Sequence, residues 1–110
     1  MANQYLGTFE QVVLLALAGI EGDADGMSVV DAIESATGRE LSVPAVYVTL
    51  KRLTNKGLVR CEVRIEEGGG PPARKYFSLE PAGVQELTRA KTMLDSLWAR
   101  VRPEELAEKA

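Results

Sequence analysis

Apolar residues recur every three or four positions from about Thr8 to Ile20. Phe9, Val12, Val13, Ala16, Leu17 and Ile20 share one helical face. Leu14, Leu15 and Ala18 make the opposite face apolar as well. A helix that is apolar all round is covered on both sides. In so small a chain the second cover is expected to be another subunit, which places Leu14 and Leu15 at an interface. Thr8 is the expected N-cap, with Glu10 and Gln11 in the first turn.

A second helix is predicted from Ser28, its expected N-cap, to about Thr37, with Val29, Val30, Ile33 and Ala36 inward and Gly38 as the stop. Ser42 caps a third, with Pro44 in its first turn, where a missing N–H costs nothing. Its apolar positions are Val43, Val46, Tyr47, Leu50 and Leu53, and Gly57 ends it. The period then changes from helical to alternating. Val59, Cys61, Val63 and Ile65 alternate with Arg60, Glu62, Arg64 and Glu66, which predicts a half-buried strand. Residues 67–73 read as a loop, and Tyr76, Phe77 and Leu79 as the returning strand.

Pro81 opens a last helix to about Val101. Val84, Leu87, Lys91, Leu94, Trp98 and Val101 repeat at alternating spacings of three and four, as in a coiled-coil seam. The stripe is longer than one small core needs, so it is expected to pair between subunits. Three helices, a hairpin and a long helix predict a mainly α (α+β) fold, a winged helix-turn-helix with a C-terminal dimerisation helix. The expected division is 1–80 for the winged domain, 81–102 for the dimerisation helix and 103–110 for a short acidic tail.

The chain has 110 residues and suits one domain. Its longest apolar run, Val12–Ala18, is far short of the roughly 18–20 residues of a membrane span. MANQYLGTFE has no basic stretch leading an apolar one, so no signal peptide is expected. The single cysteine, Cys61, allows no disulfide within the chain, and a reduced cytoplasmic setting follows. The net charge of −3 hides a segregation. Between Arg39 and Tyr76 eight cations face four acids, a net +4, which leaves −7 for the rest. A basic middle between acidic flanks favours an anionic partner.

Reactive chemistry is sparse. There is no histidine to act as general base, and no Cys and His spacing for a metal. Asp23 and Asp25 resemble the opening of a calcium loop, but the later ligands are missing, so residues 21–27 read as a solvated turn. Cys61 falls at an inward strand position and reads as an inert thiol. The GGG of residues 68–70 leads into a strand, not into a helix as phosphate-binding glycines do. Neither an enzyme nor a cofactor is expected.

Anion binding without chemistry fits better. With Leu50 and Leu53 turned to the core, Ala45, Val48, Arg52 and Asn55 point outward on the third helix, flanked by Thr49, Lys51 and Lys56. Small residues in the first outward turns allow close approach to a DNA major groove, and the cations that follow suit base edges and phosphates. Ser42 and the free N–H groups at the helix start also suit a phosphate.

SVPAVYVTLKRLTNKGLV (42–59), GGGPPARKYFSLEPAG (68–83) and GMSVVDAIESATG (26–38) together resemble the PadR family of bacterial transcriptional regulators. The shared pattern in the third helix is Ser42, Tyr47, Leu50, Arg52, Leu53, Gly57 and Leu58. In the wing it is Arg74, Lys75, Tyr76, Phe77, Leu79 and Pro81-Ala82-Gly83. The resemblance covers roughly residues 6–101. It implies a homodimeric repressor binding double-stranded DNA through Ser42, Tyr47, Thr49 and Arg52, with Arg74 and Lys75 in the wing. Many members carry a basic residue nearer the wing tip. GGGPPA has none and follows Glu66 and Glu67, so only backbone contacts from Arg74 and Lys75 are expected. Some members bind small aromatic or cationic effectors between subunits. Trp98 is the candidate here to stack on one, or it simply fills the interface. A winged-helix module for protein partners is the competing reading.

Overall fold

The computed structural model describes residues 6–65 and 73–110. Its elements run α1 (Thr8–Gly19), β1 (Ala24–Asp25), α2 (Gly26–Thr37), α3 (Val43–Asn55), β2 (Val59–Arg64), β3 (Arg74–Leu79), α4 (Pro81–Trp98) and α5 (Pro103–Glu108). The first three helices and the hairpin fall where the apolar pattern puts them. The expected loop at 67–73, apart from Ala73, and the acids Glu66 and Glu67 lie outside the described residues.

The core gathers the inward positions of α1, α2 and α3 over the base of the hairpin. Val13, Leu14 and Leu17 of α1 meet Val29, Val30 and Ile33 of α2 and Val46, Leu50 and Leu53 of α3, with Val59 and Phe77 closing the sheet side. Leu14 is therefore wholly inside its own protomer, not at a subunit interface as the pattern suggests. The reason is that α1 packs on α2, α3, β3 and α4, which wrap a wider arc than one stripe. Ala36 is exposed where an inward place is expected.

Caps differ from expectation by one to three residues. Gly7, not Thr8, is the N-cap of α1. Asp25, not Ser28, caps α2, its carboxylate accepting from the Ser28 N–H at 2.9 Å. Ser42 does cap α3, accepting from the Ala45 N–H at 3.3 Å. At the far end of α3, Gly57 takes a left-handed φ of 78°. The N–H of Leu58 then reaches back to the Leu53 carbonyl at 3.0 Å, turning the chain into β2.

The sheet has three antiparallel strands in the order β1-β3-β2. Residues 24 and 25, read as part of a solvated turn, form β1 and pair with β3 through Ala24↔Phe77 and Asp25↔Tyr76. In β2 only Val59 is buried and Cys61 half-buried. Val63 is exposed, and Ile65 beyond the strand is 83 % exposed. The strand outruns the helices here, and among the described residues nothing covers Val63 and Ile65. That is the shape of a wing.

The last helix stops at Trp98 with a tightened turn through Val101, and the expected tail folds as α5. Only Gly83 and Ala90 of α4 are buried, and every residue from Lys91 onward is exposed. The molecule measures 61 × 35 × 23 Å. Its radius of gyration, 16.7 Å, exceeds the about 13 Å of a compact chain this long because α4 runs off the core.

Candidate nucleic-acid interface

The outer face of α3 carries Ser42, Ala45, Tyr47, Val48, Lys51, Arg52 and Asn55, all exposed. Thr49 is only 4 % exposed and cannot face a partner as expected. Helix α3 is held by α1, α2 and β2 together, and this broad cover takes in the flank where Thr49 lies. Tyr47 stays 39 % exposed. Its ring rests on Gly26, where a Cβ would fall 2.3 Å from Cζ and 2.6 Å from the hydroxyl. Only glycine at the start of α2 lets the ring lie there.

Helix and wing face each other across an open groove of about 250 Å³ lined by Tyr47, Val48, Lys51, Cys61, Lys75 and Phe77. Lys51 of α3 and Lys75 of β3 thus border one space, though 24 positions apart in the chain. Among the described residues no carboxylate pairs with Lys51, Arg52 or Lys75. Arg74 is exposed, with Nη1 4.0 Å from Asp25 Oδ2, a long contact that leaves it available. Arg64 instead serves as an anchor. It pairs with Asp23 and Glu62, and its guanidinium lies 4.3 Å from the centre of the Tyr76 ring. Asp23 therefore moors the wing and Asp25 caps α2, roles that their turn-like spacing conceals.

Alanine at both Arg74 and Lys75 is expected to weaken binding to all DNA sequences about equally and to flatten the salt dependence by roughly two counterions. The slope of log affinity against log salt measures it, and an unchanged slope would remove both from the interface.

Lys56 turns away from this surface. Its Nζ lies 2.7 Å from Oε2 of Glu10, a buried carboxylate of α1. Burial pushes the Glu10 carboxyl up, but hydrogen bonds from Lys56 and the Gly7 N–H, with the charges of Lys56 and Arg52, hold it below its ordinary value. The Asp25 carboxyl is also lowered, chiefly by its hydrogen bonds from Ser28. Such groups add stability that is complete above their unfolded-state values and is lost as pH falls through the folded ones. The melting temperature is therefore expected to drop below roughly pH 5. Glu10→Gln should make that drop shallower; parallel curves would deny the pair a pH-dependent share.

A second surface lies between α1 and α4. Its open groove of about 490 Å³ is lined by Leu15, Ala18, Val84, Leu87, Leu94 and Trp98, among others. Leu15 is 58 % and Trp98 60 % exposed, and Val101 extends the apolar strip. Leu87 packs partly on the protomer's own core. Lys91, at the strip's edge, pairs with Asp95 one turn on at 2.5 Å. Among the described residues no cluster of His, Cys, Asp and Glu could hold a metal ion. None of the described helices is long and apolar enough to cross a membrane.

Three helices, a short third strand and a projecting hairpin define a winged helix-turn-helix protein. The profile of the Transcriptional regulator PadR-like family matches residues 14–89, and the chain belongs to that family. It is a PadR-family transcriptional regulator, and the family is one of regulators, not of enzymes. Solved structures share the fold. A PadR family regulator from Eggerthella lenta is 24 % identical with a TM-score of 0.69, over 91 % of this chain and 84 % of that one. One from Clostridium difficile is 22 % identical with a TM-score of 0.69, over 84 % and 93 %. Bacillus subtilis PadR, solved in complex with operator DNA, is 19 % identical with a TM-score of 0.65, over 92 % and 63 %. A comparison with curated proteins found no match.

Proposed function

We propose that this regulator is a homodimeric repressor that binds double-stranded DNA at a two-fold symmetric operator. The observation that carries the reading is the exposed face of α3, small residues leading into Lys51 and Arg52, with Lys75 of the wing across the groove. Ala45 and Val48 let the helix approach base edges, while Arg52 and Asn55 supply hydrogen bonds to bases or phosphates. Ser42 and the helix start take a phosphate, and Arg74 and Lys75 take the backbone beside the wing. The Bacillus subtilis relative, solved on its operator, supports the same docking here.

Residues 1–80 form the DNA-binding unit and 81–102 the dimerisation helix, with 103–110 as an appendage. Leu15, Val84, Leu87, Lys91, Leu94, Trp98 and Val101 line the subunit contact, a strip that, apart from the half-buried Leu87, one protomer leaves open to water. Two-fold pairing sets two half-sites roughly 34–36 Å apart, or a multiple of that. Trp98 is the group that would stack on a small aromatic or cationic effector. Quenching of this single tryptophan by such compounds tests it, and unchanged fluorescence leaves Trp98 as an interface residue only. The protein acts in the cytoplasm, beside the chromosome.

The test is fluorescence anisotropy of the purified protein on the duplex upstream of its own gene, with a scrambled duplex as control, at several salt concentrations. Selective binding with a steep salt slope and dimer stoichiometry is expected. Equal, weak binding to both would favour a winged-helix module for a protein partner, a reading that the overall charge of −3 keeps open.

A further inference from the structure

Glu10 is the single buried charged side chain among the described residues, and the DNA-facing surface does not include it. Both its oxygens are committed. Oε1 accepts from the Gly7 N–H at 2.9 Å and closes the first turn of α1. Oε2 accepts from Nζ of Lys56 at 2.7 Å, at the C-cap of α3. Arg52, one turn earlier on α3, adds positive charge near the same carboxylate. Taking a carboxylate out of water is costly, and a hydrogen-bonded cation only offsets the cost. Stability alone is a weak reason to place a charge there.

Geometry supplies a better reason. The other buried side chains of α3 are the apolar Val46, Leu50 and Leu53 and the uncharged Thr49. Apolar contacts are non-directional and resist sliding poorly. A charge-assisted hydrogen bond has a set length and direction. This one joins α1 to the C-cap of α3 through two residues 46 positions apart in the chain. Further along α1, Leu15 and Ala18 line the groove shared with α4. One carboxylate thus ties the helix that borders the subunit groove to the end of the helix that faces DNA.

We propose that Glu10 is a positioning residue for DNA recognition: through Lys56 it pins the C-terminal end of α3 to α1 and so fixes the spacing of the two recognition helices in the dimer. The proposal rests on the dimeric, DNA-binding reading above. Lys56 then works from behind the recognition helix and not as a phosphate contact.

The test uses the full-length protein, its operator, and the same operator with one base pair added between the half-sites. Wild type should prefer the native spacing. Glu10→Gln and Lys56→Met are expected to bind the native operator roughly tenfold more weakly and to lose most of the spacing preference. The salt slope should stay at the wild-type value in both. Lys56→Arg, which keeps a cation and its donors, is expected to retain the preference. Wild-type affinity and spacing preference in both Glu10→Gln and Lys56→Met would overturn the proposal. So would a salt slope lowered in Lys56→Met alone, or a loss in Lys56→Arg as complete as in Lys56→Met. Circular dichroism at the assay temperature separates misfolding from misplacement. If Glu10→Gln fails to fold, the variants at the more exposed Lys56 carry the comparison. A wild-type protein that ignores the operator in the scrambled-duplex control refutes DNA binding itself, before any variant is read.

Discussion

Replacing Gly83 by alanine is expected to destabilise the winged domain by about 3 kcal/mol, the upper end for overpacking. A Cβ at this position would stand 2.3 Å from the carbonyl oxygen of Leu58 and 3.1 Å from Cδ2 of Leu79. A side chain in the way can rotate aside, but the Leu58 oxygen is backbone. It also accepts the Glu80 N–H at 3.0 Å, while the Leu58 N–H is bonded to the Leu53 carbonyl at 3.0 Å. The end of α3, the start of β2 and the first turn of α4 therefore meet at one fixed point. Relief means lifting α4 off the domain. Thermal unfolding followed by circular dichroism should show a midpoint lower by roughly 12 °C or more, taking 4–8 °C per kcal/mol for a domain of this size. A change within two or three degrees would mean that α4 shifts at little cost.

The second large effect concerns assembly. If the proposed dimer forms through this strip, Leu94→Glu is expected to turn it into a monomer while the winged domain stays folded. Leu94 lies on the part of α4 beyond the buried core and is 41 % exposed, so little packing inside the protomer is lost. Glutamate suits a helix interior, so α4 should persist. In a closed interface, however, the new carboxylate would lose its water without a partner, at a cost of several kcal/mol for each copy. By two-fold symmetry the change enters twice. Sedimentation velocity should show a dimer for wild type and a single species of monomer mass for the variant at the same concentration. Operator affinity should fall with it, because one half-site alone supplies half the contacts. A stable dimer in the variant would move the interface away from this strip.

How far the sequence discloses these features depends on whether a feature is local. Helix α3 is legible because its signals lie within the helix itself: Ser42 before it, Pro44 in its first turn, Gly57 after it, and inward residues at helical spacing. Its outward face is legible by the same geometry, apart from Thr49, whose cover comes from neighbouring helices. For α1 the pattern reveals two apolar faces but not how wide the protomer's own cover is, so Leu14 and Leu15 read alike when only Leu15 is exposed. Alternation in β2 marks one face as apolar; it carries no information on whether anything lies against Val63 and Ile65. Strand β1 is two residues long, has no period, and exists only through its pairing with Phe77 and Tyr76. The Glu10–Lys56 pair has no local signature either. Helix α5 could have been found, since Pro103 followed by Glu104 and Glu105 is a helix opening favoured by its own dipole.

Strand β2 lies at the outer edge of the sheet, its far side unpaired among the described residues. Exposed edges of this kind invite a second molecule to add its own strand and begin an aggregate. Here Arg60, Glu62 and Arg64 point out at every other residue, so a like strand laid alongside would meet charges that are hard to strip of water. The alternation that marks β2 as a wing strand is therefore also expected to discourage copies of the protein from joining edge to edge. Substituting apolar residues at Arg60 and Glu62 is expected to raise light scattering on concentration while circular dichroism stays native.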